Sequence, residues 1–173
     1  MLPLFLNLTG RLVVLVGDGP VAETKRRLLE AAGAIVRHVA PDAFCEADLN
    51  DAWLAVTTGG PEVNARVARA AEARRIFVNA ADDPQNASAY LSGVVERGGV
   101  TIAISTEGAA PGLTGLVREA LDALLPDDVG RWVEEARAER QAWQRDGVPL
   151  AHRRPLLLRA LNRLYQNGDV SHA

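Results

Sequence analysis

An α/β fold built on a parallel sheet is predicted by two features of residues 1–105. Short apolar, β-branched runs alternate with stretches of helical periodicity. A glycine-rich break separates the first such run from the first helical stretch. The 173-residue chain is 48% hydrophobic and 24% charged, an ordinary globular balance and enough chain for a sizeable core. Strands alternating with helices in this way pack as a parallel sheet covered on both faces.

The elements follow in order. Arg11–Val16 (RLVVLV) reads as a buried parallel strand, and Gly17-Asp18-Gly19-Pro20 breaks it. Val21–Ala32 reads as a helix, with Val21, Leu28 and Leu29 apolar and Lys25, Arg26 and Arg27 outward. Gly33 stands where a helix ends on a positive φ. Ala34–Ala40 is the second strand and Trp53–Thr57 the third. Glu62–Arg74 carries Val63, Val67, Ala70 and Ala71 on one helical face, and Ile76–Asn79 is the fourth strand. Ala80–Ser88 is a polar loop containing Asp82-Asp83-Pro84. Ala89–Val95 and Val100–Ser105 read as a hairpin joined by Glu96-Arg97-Gly98-Gly99. A helix from Pro111 to Leu125 opens on proline, whose missing N–H costs nothing in a first turn. Beyond Pro126, Asp127–Asp146 and Arg154–Tyr165 have helical patterns.

Charge and composition exclude several function classes. The formal charge of −3 argues against a nucleic-acid partner, and no apolar run approaches the ~18 residues of a membrane span. Cys45 is the only cysteine, so neither an intrachain disulfide nor a cysteine zinc site is expected. His38, His152 and His172 are scattered, and no metal site is expected. Met1–Gly10 has no cationic stretch ahead of an apolar one, so no secretory leader is read there and a cytoplasmic location is expected. Of the 19 basic residues only Lys25 is lysine, a skew that base composition produces as readily as function does.

Gly17-x-Gly19-x-x-Ala22 follows a strand and opens a helix, which is the dinucleotide-binding fingerprint of a Rossmann-like unit. The first glycine permits the tight turn, the second lets backbone approach a pyrophosphate, and the small third residue lets helix and strand close up. Gly17, Asp18, Gly19, Pro20, Val21 and Ala22 are therefore the candidate cofactor contacts, with N–H groups at the helix start facing the anion. The acid that reads ribose hydroxyls belongs about 20 residues on. Asp42 is the nearest carboxylate and comes a little late, while Arg37 or His38 is an alternative contact to a phosphate. These residues leave NAD and NADP both open. A lone strand histidine such as His38 is more often structural.

Several passages carry a family resemblance. Pro3-Leu4-Phe5-Leu6-Asn7-Leu8 precedes the first strand; Val16-Gly17-Asp18-Gly19-Pro20-Val21-Ala22 is followed by Lys25. Pro61-Glu62-Val63-Asn64 follows the third strand, and Val78-Asn79-Ala80-Ala81-Asp82-Asp83-Pro84 the fourth. Thr101-Ile102-Ala103-Ile104-Ser105-Thr106 leads to Gly108, Pro111, Leu113 and Arg118-Glu119. Together, over Met1 to about Pro126, these resemble the precorrin-2 dehydrogenase family: the N-terminal module of siroheme synthase and its stand-alone relatives, some of which are also sirohydrochlorin ferrochelatases. The chain departs from the family pattern at Gly59-Gly60, where two acids are usual, and at Glu107 and Ala110, where glycine and serine are usual.

The resemblance implies NAD-dependent oxidation of precorrin-2 to sirohydrochlorin by a homodimer, with metal chelation as a second activity in part of the family. It implies an NAD-binding Rossmann-like domain over 1–105 that includes the hairpin, a helical dimerisation or substrate region over 106–166, and a disordered tail over 167–173. It places the catalytic aspartate at Asp82 and bets against Asp83. Thr57, Thr58 and Asn79 complete the expected cofactor contacts; Ser105, Thr106 and Arg118 are the expected substrate contacts. An octacarboxylate substrate needs cations, for which Arg97, Arg131, Arg153 and Arg154 are further candidates by location. Trp132 and Trp143, eleven residues apart, share a helical face suited to packing or to a dimer contact. The alternative reading is a non-catalytic Rossmann module that senses a dinucleotide or binds a tetrapyrrole.

Overall fold

The computed structural model describes residues 1–107 and 109–166. The tail expected to be disordered, 167–173, lies outside them. The chain divides into two compact units, Met1–Leu91 with Glu107–Ala109, and Ser92–Thr106 with Ala110–Ala173. The hairpin thus groups with the C-terminal helices.

The first unit is the α/β body. Its sheet has the order β2-β1-β3-β4, all parallel, from Leu12–Val16 (β1), Ile35–Val39 (β2), Leu54–Thr57 (β3) and Phe77–Ala80 (β4). Helices α1 (Gly19–Ala31) and α2 (Pro61–Glu72) cover its two faces. Val14, Val16, Ala55 and Val78 pack with Val67, Ala70 and Ala71 of α2. Val13, Leu15, Leu54 and Val56 pack with Ala22 and Leu29 of α1. The central strand β1 is buried on both sides, which is why its sequence is a continuous apolar run.

Three local expectations differ from what forms. Lys25 is not outward: Ala22, Lys25 and Leu29, at i, i+3 and i+7, make the inner stripe of α1, while Val21 and Leu28 are about half exposed. The expected strand over Ala89–Val95 begins only at Gly93, because Ser88 and Ala89 instead donate backbone N–H groups to Val78 O, covering the free edge of β4. A 3-10 turn at Glu46–Leu49 also forms, burying Leu49.

In the second unit, Gly93–Arg97 (β5) and Val100–Ile104 (β6) pair antiparallel. Their connection is two residues rather than four, since Gly98 (φ +55°) and Gly99 (φ +82°) both take the left-handed conformation that such a tight turn demands. Helices α3 (Pro111–Leu124), α4 (Val129–Arg145) and α5 (Leu150–Gln166) follow. Helix α5 begins four residues before the expected Arg154, so Pro155 lies inside it. Trp143 is buried, and Trp132 donates its indole N–H to Tyr165 of α5 across an edge-to-face contact.

Arg97 reaches from β5 to the end of α3. It donates Nη1 to the Leu125 carbonyl and Nη2 to Asp122 at 2.9 Å, supplying a partner to a carbonyl at the helix C-terminus. Arg97→Ala is expected to lower unfolding stability by about 1–2 kcal/mol. Urea denaturation measures this, and an unchanged midpoint would remove Arg97 as the clasp.

Candidate functional site

The backbone ladder of the first unit runs one residue past the strands. Gly17 N–H donates to Val39 O (3.1 Å), Thr58 N–H to Val16 O and Ala81 N–H to Thr57 O (both 2.9 Å). The loops after β1, β3 and β4 therefore begin side by side at the carboxyl edge of the sheet, where open α/β sheets hold ligands.

The turn after β1 is shaped by its glycines. A Cβ on Gly17 would collide with the Thr58 hydroxyl, so only glycine fits beneath the neighbouring loop. Gly19 has φ +79°, and nothing lies within 4 Å of where its Cβ would stand. Asp18 is the N-cap of α1 with no side-chain capping bond, Pro20 is in the first turn, Val21 faces outward and Ala22 packs on the sheet. Among the described residues Thr58 Oγ1 and Asn79 Oδ1 are buried without a hydrogen-bond partner, while Asn79 Nδ2 donates to Ala89 O. Buried oxygens of this kind are rare unless a partner is to arrive. An open glycine backbone, a helix N-terminus and two unpartnered oxygens along one edge fit a dinucleotide.

The loop after β4 is held by a polar chain that starts from the buried Thr57 and Asn64 and ends on partly buried groups. The Thr57 hydroxyl donates to Asn64 Oδ1 (2.8 Å), Asn64 Nδ2 donates to Asp83 Oδ2 (3.2 Å), and Asn86 Nδ2 donates to the same oxygen (2.8 Å). Thr57 is fully buried and its hydroxyl is committed to this chain, so it supports the loop from below. The Asn86 hydrogen bond, then that from Asn64, hold the Asp83 carboxyl below its ordinary value against the opposing effect of burial. Asp83 thus adds stability above the ordinary carboxylate range that is lost as the pH falls through its lowered value. Asn64 is legible in hindsight, as an asparagine on the apolar face of α2.

Asp82 is different. It is exposed and sits at φ +54°, a left-handed conformation uncommon for a side-chain-bearing residue. Strain at such a residue is stored where the surroundings over-determine it, here by the anchored Asp83 and Ala81 on either side. Lys25, on the inner stripe of α1, feels the Asp82 charge. Burial pulls the Lys25 ammonium below its ordinary value, and the Asp82 charge acts against that pull.

The remaining candidates are distributed as follows. Asp42 is exposed in the turn after β2. Arg37 donates to Asp48 O (2.7 Å), and His38 Nε2 lies 2.6 Å from Gly17 O. In the second unit, the Thr106 hydroxyl lies 3.0 Å from that of Thr114 and accepts from Ala110 N–H, so it secures the start of α3. Ser105 is exposed, and Arg118 pairs loosely with Glu119 at 3.6 Å. Arg131 pairs with Asp128 and Arg153 donates to Val148 O, leaving Arg154 without an ion pair among the described residues. Among the described residues no group of three or more His, Cys, Asp or Glu could hold a metal ion, and no helix is long and apolar enough to cross a membrane.

A parallel sheet with a glycine turn opening its first helix defines an NAD(P)-binding module of Rossmann type. An NAD(P)-binding family model matches residues 4–93, and the chain belongs to that family. It is homologous to siroheme synthases: 41% identical to that of Tolumonas auensis over 147 residues, covering 75% of this chain and 31% of that protein. It is 40% identical to siroheme synthase 3 of Aeromonas hydrophila over 149 residues, with 75% and 32% covered. The chain therefore spans about a third of the length of these curated relatives. A solved structure described as SirC, precorrin-2 dehydrogenase, shares the fold with a TM-score of 0.66 at 23% identity, over 92% of this chain and 88% of that one.

Proposed function

We propose that this chain oxidises precorrin-2 to sirohydrochlorin with NAD, acting as a cytoplasmic homodimer. The carrying observation is Asp82, a strained, exposed carboxylate on an anchored loop at the same carboxyl edge of the sheet as the dinucleotide turn. The family homology with siroheme synthases, and the named activity of the SirC fold relative, support the same reading.

The reaction removes two electrons and two protons from a reduced tetrapyrrole. The dinucleotide, when bound, supplies the hydride acceptor. Gly17, Asp18 and Gly19 present backbone to the pyrophosphate, Pro20, Val21 and Ala22 set the helix start behind it, and Thr58 and Asn79 offer oxygens along the same edge. Asp42, exposed in the turn after β2, is the nearest carboxylate available to the ribose. Asp82 accepts the remaining proton, a role for an accessible carboxylate. Lys25 holds that carboxylate in place by charge. Ser105, Thr106 and Arg118 serve the substrate, Thr106 through its hold on the start of α3.

The direct test mixes purified protein with precorrin-2 and NAD, and follows nicotinamide reduction together with sirohydrochlorin absorbance. Matched appearance of both is expected; dinucleotide binding without turnover would favour the non-catalytic alternative. Adding Fe²⁺ or Co²⁺ to sirohydrochlorin, against a protein-free blank, tests chelation separately.

Lys25 makes a second test. A cation pulled below its ordinary value by burial is destabilising while charged, and that cost is relieved as pH rises from the lowered value towards 10.5. Lys25→Met is therefore expected to raise Tm while lowering kcat. A fall in Tm would show that the lysine is a structural prop.

A further inference from the structure

The polar side chains at the end of β2 leave one acceptor in the place where Rossmann-like units read the ribose. Resting on the dinucleotide reading above, we propose that His38 is the ribose reader of this site, and that it selects a cofactor with a free 2′-hydroxyl over one with a 2′-phosphate.

His38 pairs with Leu15 in the β1–β2 register and alternates with Val39, which packs against the α2-side cluster. Its neighbour two residues back, Val36, packs on the α1 side. Alternation therefore puts the His38 ring on the face of the sheet from which the glycine turn and α1 rise. There Nε2 lies 2.6 Å from Gly17 O. A carbonyl oxygen carries no hydrogen, so Nε2 must be the protonated nitrogen of this bond. In the neutral ring the lone pair is then fixed on Nδ1, which accepts and cannot donate.

That bond does two things. A trans peptide points its C=O and N–H in opposite directions, so holding the Gly17 carbonyl towards β2 turns the Asp18 N–H away from it. It also delivers an acceptor at the end of the second strand, the position where an acidic residue commonly meets the ribose hydroxyls. The rival groups are placed elsewhere. Asp42 is three residues beyond the end of β2 in an exposed turn, and Arg37 has a guanidinium nitrogen committed to Asp48 O at 2.7 Å. A ribose hydroxyl has a proton to give Nδ1. A 2′-phosphate offers only acceptors, and two acceptors facing each other repel.

The experiment titrates the whole protein with NADH and with NADPH by nicotinamide fluorescence at mildly alkaline pH. Wild type is expected to bind NADH about tenfold or more tighter than NADPH, the scale of one well-made hydrogen bond against an unmade one. His38→Leu is expected to weaken NADH about tenfold more than it weakens NADPH, erasing the preference, since both lose the brace on the Gly17 peptide and only NADH loses the ribose contact. His38→Gln keeps an amide donor for Gly17 O and an oxygen acceptor beyond it, and is expected to retain the preference. His38→Arg, which has donors only, is expected to move it towards NADPH. Equal weakening of both dinucleotides by His38→Leu would mean that the ring only braces the turn, and would overturn the proposal, as would a His38→Gln variant that behaves like leucine. Binding of neither dinucleotide by wild type is a separate result, and it would overturn the cofactor reading itself.

Discussion

Asp82→Asn is expected to lower kcat by roughly 10²- to 10⁴-fold, the usual weight of a positioned general base, while dinucleotide affinity stays within about twofold. The substitution is clean for a structural reason. Asparagine is among the residues that tolerate a left-handed backbone, so φ +54° at this position is not disturbed. The loop is anchored through Asp83, whose carboxylate accepts from Asn64 and Asn86, and not through Asp82. What changes is the ability to accept a proton. Asp83→Asn is the instructive contrast: it replaces an acceptor of two hydrogen bonds and is expected to lower Tm more than Asp82→Asn does. Steady-state turnover of the two variants, with thermal unfolding of each, separates the roles. Turnover of Asp82→Asn at the wild-type rate would remove Asp82 from the chemistry.

Gly98→Ala is expected to destabilise the second unit by about 2–4 kcal/mol, adding a left-handed backbone penalty to backbone overpacking. Gly98 has φ +55°, and a Cβ there would stand 2.7 Å from Gly130 Cα in the first turn of α4 and closer still to Gly130 N. Those are backbone atoms of a helix and cannot rotate aside. Gly99 is a built-in control. It has φ +82°, but its Cβ would meet only Val133 Cγ1 at 3.6 Å, an ordinary contact. Gly99→Asn is therefore expected to cost about 1 kcal/mol or less, since asparagine accepts the left-handed region. Chemical denaturation of both variants gives the comparison. Equal, small losses would mean that the hairpin turn does not rest on α4.

Five of the positions discussed show how far local pattern reaches. Gly17 and Gly19 were readable as a dinucleotide turn because a strand, a turn and a helix in sequence restrict what those glycines can do. Asp82 was readable only through the spacing of several motifs, since an Asp-Asp-Pro loop by itself is an ordinary turn. Lys25 was misread as outward. The i, i+3, i+7 stripe of Ala22, Lys25 and Leu29 is present in the sequence, but a charged side chain on a helix ordinarily faces water, and the apolar Val21 and Leu28 are half exposed instead. The expected role of Thr106 at the substrate comes with a structural one: its hydroxyl meets that of Thr114 and accepts from Ala110 N–H, pairings visible only once α3 is folded.

The sequence by itself determined the order of strands and helices, the parallel sheet and the glycine turn, because hydrophobic period and backbone freedom are local properties of consecutive residues. The tertiary structure alone decided that His38 meets the carbonyl of Gly17, that Asn64 and Asn86 converge on Asp83, and that Arg97 closes the end of α3. Of those contacts only Asn86 to Asp83 is local; the others join residues 19 to 28 positions apart. Which polar partners meet across such separations depends on how elements stack, and a one-dimensional pattern does not carry that information.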